Sequence, residues 1–377
     1  LRLDEVRLAT RRALAPHDEL NTDMRICVLR SSYDGTASPM ASLDPMPDPS
    51  PWLHGHDVRI RDLKKSEAQR AIPELVSEGF DVFLNLCDGM SFEDIAGPEV
   101  VVALESASVP FTGPSSSLYS LTKEAMKRWA QSHSVRTPAF AIARSEAEAR
   151  QAAETLRYPA IVKHIDGCAS IGLTPASRVT DARALVEQAN VMIAAAGGAL
   201  IEEFIEGDEY TVLASEDPSA PEGLRVYEPV QCGFPPGETF KHFELKWLGY
   251  EGFEWRPCED PAARASVMDA TRTVFSGLGA ESYSRCDFRV DHEGRAWFLE
   301  INTSCGVFYP AGAEGSADVI LQRDPGGHRA FLDRILRAAI APTVARSSGG
   351  AERARARFAS PVSGAKSGPL RRAFVRG

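Results

Sequence analysis

Two oxygen-bearing side chains, Glu300 and Asn302, stand two apart in the apolar run FLEINTSCGVFYP at 298–310. In a strand, that spacing projects both from one face. A little upstream, CDFRVD (286–291) is another strand-like run, and the turn HEGR (292–295) folds the two into an antiparallel hairpin. Paired across that turn, Asp287, Glu300 and Asn302 converge on one face. Three hard oxygen donors without histidine or thiol suit Mg²⁺, which takes carboxylates and leaves its other places to water and phosphate. An ordinary solvated or salt-bridged sheet face would use the same residues.

Cations that could meet a phosphate lie elsewhere in the chain. IVKHIDGCASIGL (161–173) sets Lys163 at the end of a buried strand, followed by a loop with Gly167, Ser170 and Gly172. Small residues let backbone N–H groups approach an anion closely. No GKT or GKS follows, so this is not a Walker A loop, and a plain glycine turn explains it equally well. Lys123 in TKEAMKRWA and Lys246 in KHFELKWLG are, singly, indistinguishable from solvated surface charges. ALIEEFIEGDEYTV (199–212) gathers Glu202, Glu203 and Glu209 around an apolar strand. Glu202 and the backbone near Phe204 and Ile205 could read an adenine edge, and Glu209 could accept from ribose hydroxyls. An acidic strand end and turn is the plainer reading of that stretch.

The elements that must hold these residues follow from periodicity. Strands are expected at 24–30, 57–60 and 81–86, helices at 66–79 and 98–108, and a short strand at VPFTG (109–113). Residues 23–113 thus form an α/β unit with a parallel sheet, whose ligands would gather at the strands' C-terminal ends. Residues 114–212 alternate helices and strands as a small α+β unit. Residues 213–342 add β-rich stretches, a helix at 261–278, the hairpin and a helix at 328–341. The start, 1–22, is a leader that could also serve as a targeting helix. Beyond Pro342 the chain is basic and rich in Ser, Gly and Ala, the composition of a disordered tail.

Bulk properties narrow the function. A formal charge of -10 over 377 residues argues against nucleic-acid binding by the body of the protein and favours small-molecule partners. The 7 cysteines contain no CxxC pair, as expected of free thiols in the cytoplasm. No apolar run of roughly 18 residues offers a membrane span.

Taken in order, these segments resemble the ATP-grasp superfamily over about residues 80–321, and most closely its D-alanine–D-alanine ligase branch of carboxylate–amine ligases. The carrying segments are VPFTGPSSSLYSLTKEAMKRWAQSHSVRTPAF, YPAIVKHIDGCASIGL, LIEEFIEGDEYTV, FELKWL and RCDFRVDHEGRAWFLEINTSCG. The resemblance implies an ATP-grasp fold: a Rossmann-like parallel domain, then two α+β subdomains that clamp ATP. It further implies that Lys123 and Lys163 hold the α and β phosphates and Lys246 the γ-phosphate. Glu202, Glu203, Phe204 and Ile205 would surround adenine, and Glu209 the ribose. Asp287, Glu300 and Asn302 would ligate two Mg²⁺ ions, with Mn²⁺ able to replace them. Arg285 and the Gly306 amide would stabilise an oxyanion, and the loop 166–172 carrying Ser170 would close over the triphosphate. The implied reaction activates a carboxylate as an acyl phosphate and joins it to an amine, and the implied assembly is a homodimer.

Three departures concern substrate. The acid that follows the first strand in these ligases is represented only by Asp34; the usual His-Gly is Asp88-Gly89, with Glu93 and Asp94 kept; and the loop Glu-Gly-Ser-Ser-Val-Gly is Gly-Cys-Ala-Ser-Ile-Gly at 167–172. Cys305 also replaces a proline before Gly306. D-Alanyl-D-alanine is therefore one candidate product among amide-bonded products. A catalytically idle ATP-binding regulator, or an ATP-grasp enzyme that phosphorylates or carboxylates, are the other readings.

Overall fold

The structure, a computed structural model, describes residues 23–249 and 252–341. The expected leader at 1–22 and basic tail at 343–377 lie outside the described residues.

β1 (Arg25–Ser31) is the middle of a parallel three-stranded sheet, between β2 (Asp57–Leu63) and β3 (Val82–Leu86). Its strict alternation feeds two cores. Cys27 and Leu29 pack under α1 (Ala68–Ser77) and α2 (Pro98–Ala107), while Ile26 and Val28 face the opposite way. The strand expected at VPFTG is reduced to one parallel bridge, Phe83 to Phe111.

After α3 (Lys123–Ser132) comes an antiparallel sheet ordered β4-β7-β5-β6, built from β4 (Phe140–Ala143), β5 (Ala160–His164), β6 (Arg178–Val179) and β7 (Ala199–Glu203). Between its strands, α4 (Glu146–Thr155) and α5 (Ala182–Ala196) cover one face, burying Ala160, Val162, Ala199 and Ile201. The two-residue period then turns Ile161, Lys163 and Glu202 to the other face.

The third sheet has six strands: β8 (Asp208–Glu216), β9 (Leu224–Val226), β10 (Val230–Gly233), β11 (Glu254–Pro257), β12 (Tyr283–Val290) and β13 (Ala296–Asn302), with α6 (Phe243–Trp247) between β10 and β11. α7 (Pro261–Leu278) and α3 pack on one face of it, where Met126 and Trp129 join Val212, Phe275, Cys286, Phe288 and Phe298. So α3 precedes the central sheet in sequence but belongs to the third sheet's layer. The expected boundary between residues 212 and 213 falls inside β8.

Two helices end the described residues: α8 (Ser316–Arg323), where no helix is expected from the sequence, and α9 (Gly327–Ile340). Phe331, Leu332, Ile335 and Leu336 of α9 share one core with Ile26, Val28 and Leu84 of the first sheet and Leu213 and Tyr283 of the third. Asp318 of α8 is buried and accepts from the Phe308 N–H at 2.7 Å, with His328 Nε2 2.9 Å away. That anchor holds the segment after β13 against the first sheet.

Candidate active site

The hairpin delivers its three donors through an irregularity. Arg285 lies opposite Asn302 and Asp287 opposite Glu300, but Phe288 lies opposite Phe298, so Leu299 is an extra residue on β13. Without that bulge, Phe298 and Glu300, two apart, would share a face. With it, Phe298 enters the core beside Phe288, and Glu300 and Asn302 turn to the face of Asp287.

That face and the bare face of the central sheet form the walls of a cleft. Lys123, Lys163, Ser170, Glu202, Glu203, Phe204, Ile205, Glu209, Asp287 and Glu300 line it together. Arg285, Asn302, Lys246 and Gly306 are not among its lining residues; Arg285 and Asn302 lie two positions along the hairpin from Asp287 and Glu300.

Four of the cleft's carboxylates, Glu202, Glu209, Asp287 and Glu300, are matched by cations, whereas Glu203 Oε1 accepts from the Arg157 N–H at 3.2 Å. Lys123 Nζ meets Glu300 Oε2. Burial alone would raise the Glu300 carboxyl, yet Lys123 and then Lys163 outweigh it and hold it far below the usual range. Lys163 Nζ lies 2.7 Å from Glu202 Oε2, and Lys127 meets Glu202 Oε1. Against the same burial, Lys127 and Lys163 bring Glu202 down to about 2. Lys241 Nζ sits 2.8 Å from Glu209 Oε1, with Arg289 3.6 Å from Oε2. The Arg285 fork grips Asp287 through Nη2 to Oδ2 at 3.1 Å and Nε to Oδ1 at 3.3 Å, and the Thr211 hydroxyl donates to Oδ1 at 2.8 Å. Asn302 Oδ1 accepts from the Ser304 N–H at 3.1 Å.

Glycine-loop residues 167–173 dock on the segment before and within α6. Ser170 Oγ donates to the Lys241 carbonyl at 2.8 Å, and Trp247 Nε1 donates to the Ala169 carbonyl at 2.9 Å. Ala169 and Ser170 hold φ of 53° and 60°, a conformation rare outside glycine. On the opposite rim the Phe204 N–H donates to the Pro159 carbonyl and the Glu203 N–H to the Ala139 carbonyl. Those two donors are thus engaged within the protein. Lys246 on α6 is depressed to about 8 by burial, then by Arg285 and Lys241.

Asp34 is exposed and accepts no role in this arrangement. The acids at the C-terminal ends of the first sheet are instead Asp44 and Asp88, in a small separate cleft with Ser31, Tyr33 and Tyr309. Tyr33 donates to Asp44 Oδ2 at 2.8 Å and Tyr309 lies 3.4 Å from Oδ1. Burial, then Asp44 and Glu93, push the Asp88 carboxyl up to about 7.

Sequence reasoning missed Asp44, Lys127, Thr211, Lys241, Arg289 and Tyr309. Lys127 had a signal, being one helical turn past Lys123 and so on the same face. Asp44 lies ten residues beyond the expected position in a proline-rich loop and had none.

A family model described as "D-ala D-ala ligase C-terminus" matches residues 131–309. A D-alanine–D-alanine ligase of Bordetella petrii is 32% identical over 257 residues, covering 67% of this chain and 74% of that relative. The chain belongs to the D-alanine–D-alanine ligase family. Among solved structures, the D-alanine–D-alanine ligase of Bacillus anthracis complexed with ATP aligns with a TM-score of 0.61 at 18% identity, covering 85% of this chain and 97% of that one. An L-amino acid ligase of Bacillus licheniformis aligns at 0.59 and 17% identity, covering 87% and 77%. The fold is therefore ATP-grasp, and members of the family are ATP-dependent carbon–nitrogen ligases.

Proposed function

We propose that the protein joins the carboxylate of one amino acid to the amine of another, using ATP and passing through an acyl phosphate. The observation that carries this reading is the gathering of Lys123, Lys163, Asp287 and Glu300 around one cleft. A carboxylate is a poor electrophile, and transfer of the γ-phosphoryl group gives it a good leaving group. That transfer needs charge neutralisation and alignment rather than covalent work by the protein. Lys163 supplies the neutralisation from the central sheet, Lys123 from the start of α3 beside Glu300, and Lys246 from α6. Among the described residues no three His, Cys, Asp or Glu side chains form a metal cage. Asp287, Glu300 and Asn302 nevertheless fit Mg²⁺, which commonly takes one or two carboxylates and completes its shell with water and phosphate. Bound there, Mg²⁺ would neutralise charge on the phosphates.

The small acidic cleft supports an amino acid as the acid-side substrate. It opens at the C-terminal ends of β1 and β3, where ligands of parallel sheets gather, and Tyr309 links it to the segment of Gly306. Asp44 would hold the ammonium group. Asp44→Asn is expected to raise KM for that amino acid by roughly tenfold or more, the order of a lost charged hydrogen bond, and to leave KM for ATP unchanged. An unaltered amino-acid KM would remove Asp44 from the site.

The test of the whole reading is incubation with ATP, Mg²⁺ and pools of amino acids, D-alanine first because the relatives are named for it. Phosphate release that depends on the amino acids, a product mass equal to the two minus water, and a hydroxamate on adding hydroxylamine are expected. Absence of all three across broad pools refutes it. Turnover should also fall as pH rises through about 8, because Lys246 is protonated below that value and neutral above it. Lys246→Arg, charged throughout, should flatten the descending limb.

A further inference from the structure

We infer that Lys127, which does not line the cleft, is a positioning residue that keeps Lys163 available to phosphate by sharing the carboxylate of Glu202. The inference rests on the nucleotide-dependent reading above. Lys127 belongs to α3, packed on the third sheet, whereas Glu202 and Lys163 belong to the central sheet, so the row Lys127, Glu202, Lys163 joins the two layers. Lys127 and Glu202 are each 1% exposed, and Lys163 is 19% exposed. Only the last can meet a ligand.

The ammonium of Lys127 is fixed from behind. Its Nζ donates to Thr137 Oγ1 at 3.3 Å, and that hydroxyl donates to the Phe298 carbonyl at 2.9 Å. Its remaining partner is Glu202 Oε1, while Glu202 Oε2 takes Lys163 at 2.7 Å. A buried carboxylate with a single cation would retain that cation, because releasing it leaves an uncompensated charge in a poorly solvated place. With Lys127 in place, Glu202 stays neutralised when Lys163 turns. The three N–H donors of Lys163 are then free to divide between Glu202 and a phosphate.

The consequence is selective for the phosphates. In Lys127→Met, Lys163 becomes the sole partner of Glu202 and should stay on it. Binding of ADP, measured calorimetrically on the whole protein under conditions where it is folded, should weaken by about tenfold or more, whereas adenosine should change by less than about twofold. Lys127→Gln keeps a donor for Thr137 and removes only the charge, so it should show the same selective loss if the methionine variant does not fold. Because Glu202 also lines the cleft, the reference for the double variant is Glu202→Gln alone: with the restraining carboxylate gone, adding Lys127→Met to Glu202→Gln should change ADP binding by less than about twofold. Equal weakening of ADP and adenosine, unchanged ADP binding in folded Lys127→Gln, or a further loss of about tenfold in ADP binding on adding Lys127→Met to Glu202→Gln would each overturn the inference. If the unsubstituted protein binds neither ADP nor adenosine, the nucleotide reading itself falls and this one with it.

Discussion

Glu300→Gln is expected to reduce turnover by roughly 10³-fold, the scale of several kcal/mol of lost charge stabilisation at the phosphates. The fold should survive, because the change is isosteric and Glu300 lies at a cleft wall rather than in the core. The informative readout is binding rather than rate. Lys123 is paired with Glu300, so the glutamine variant releases that lysine. Metal-free ADP should bind at least as tightly as to wild type, while the gain in ADP affinity on adding Mg²⁺ or Mn²⁺ should largely vanish. If the divalent ion still strengthens ADP binding as before, Glu300 is not a metal ligand. Retained turnover would count against the same assignment.

The Glu-x-Asn spacing was legible because its two residues are close in the chain and both sit after an apolar run. What makes that spacing work was not legible. In FLEIN, Phe298 and Glu300 obey the same alternation, which would send both to the core or both to the cleft. The bulge at Leu299 resolves that conflict, and its cause is tertiary: Phe298 packs against Phe288 on the far side of the sheet. No local residue type announces it, since Leu299 is an ordinary strand residue.

Lys123, Lys163, Glu202, Asp287 and Glu300 could be ordered along the chain but not paired from it. The pairing depends on α3 leaving its neighbours in sequence to pack on the third sheet, which brings Lys123 to Glu300 across 177 positions. The same long-range packing explains α8 and α9. Their apolar faces cover the first sheet although they lie more than 200 residues beyond it in sequence, so a reading by consecutive segments assigns the helix at 328–341 to the last unit alone. Asp44 shows the opposite failure. The need for an acid near the end of β1 was clear, but a proline-rich loop can present a residue ten positions later, and only Tyr33 and Tyr309 reveal which one points inward.

Arg285→Met should separate the two half-reactions. Its guanidinium already forks onto Asp287, and it lies opposite Asn302, which is four residues before Gly306 in sequence. If Arg285 steadies the oxyanion formed when the amine attacks, peptide formation should fall by roughly 10²- to 10³-fold, as for loss of one oxyanion donor. Hydroxylamine capture of the acyl phosphate should fall far less, so the ratio of hydroxamate to peptide rises. Lys at 285 keeps the charge but not the two-pronged geometry and should recover only part of the loss. The competing role is support of Asp287. Burial pushes that carboxyl up, and Arg285 is the strongest influence holding it down. Losing the guanidinium would then make metal-dependent ADP binding fail as pH falls and Asp287 takes a proton, with hydroxamate and peptide declining together. A rising hydroxamate ratio at unchanged ADP affinity assigns Arg285 to the amine's attack, whereas parallel loss with a new acid limb assigns it to the metal face alone.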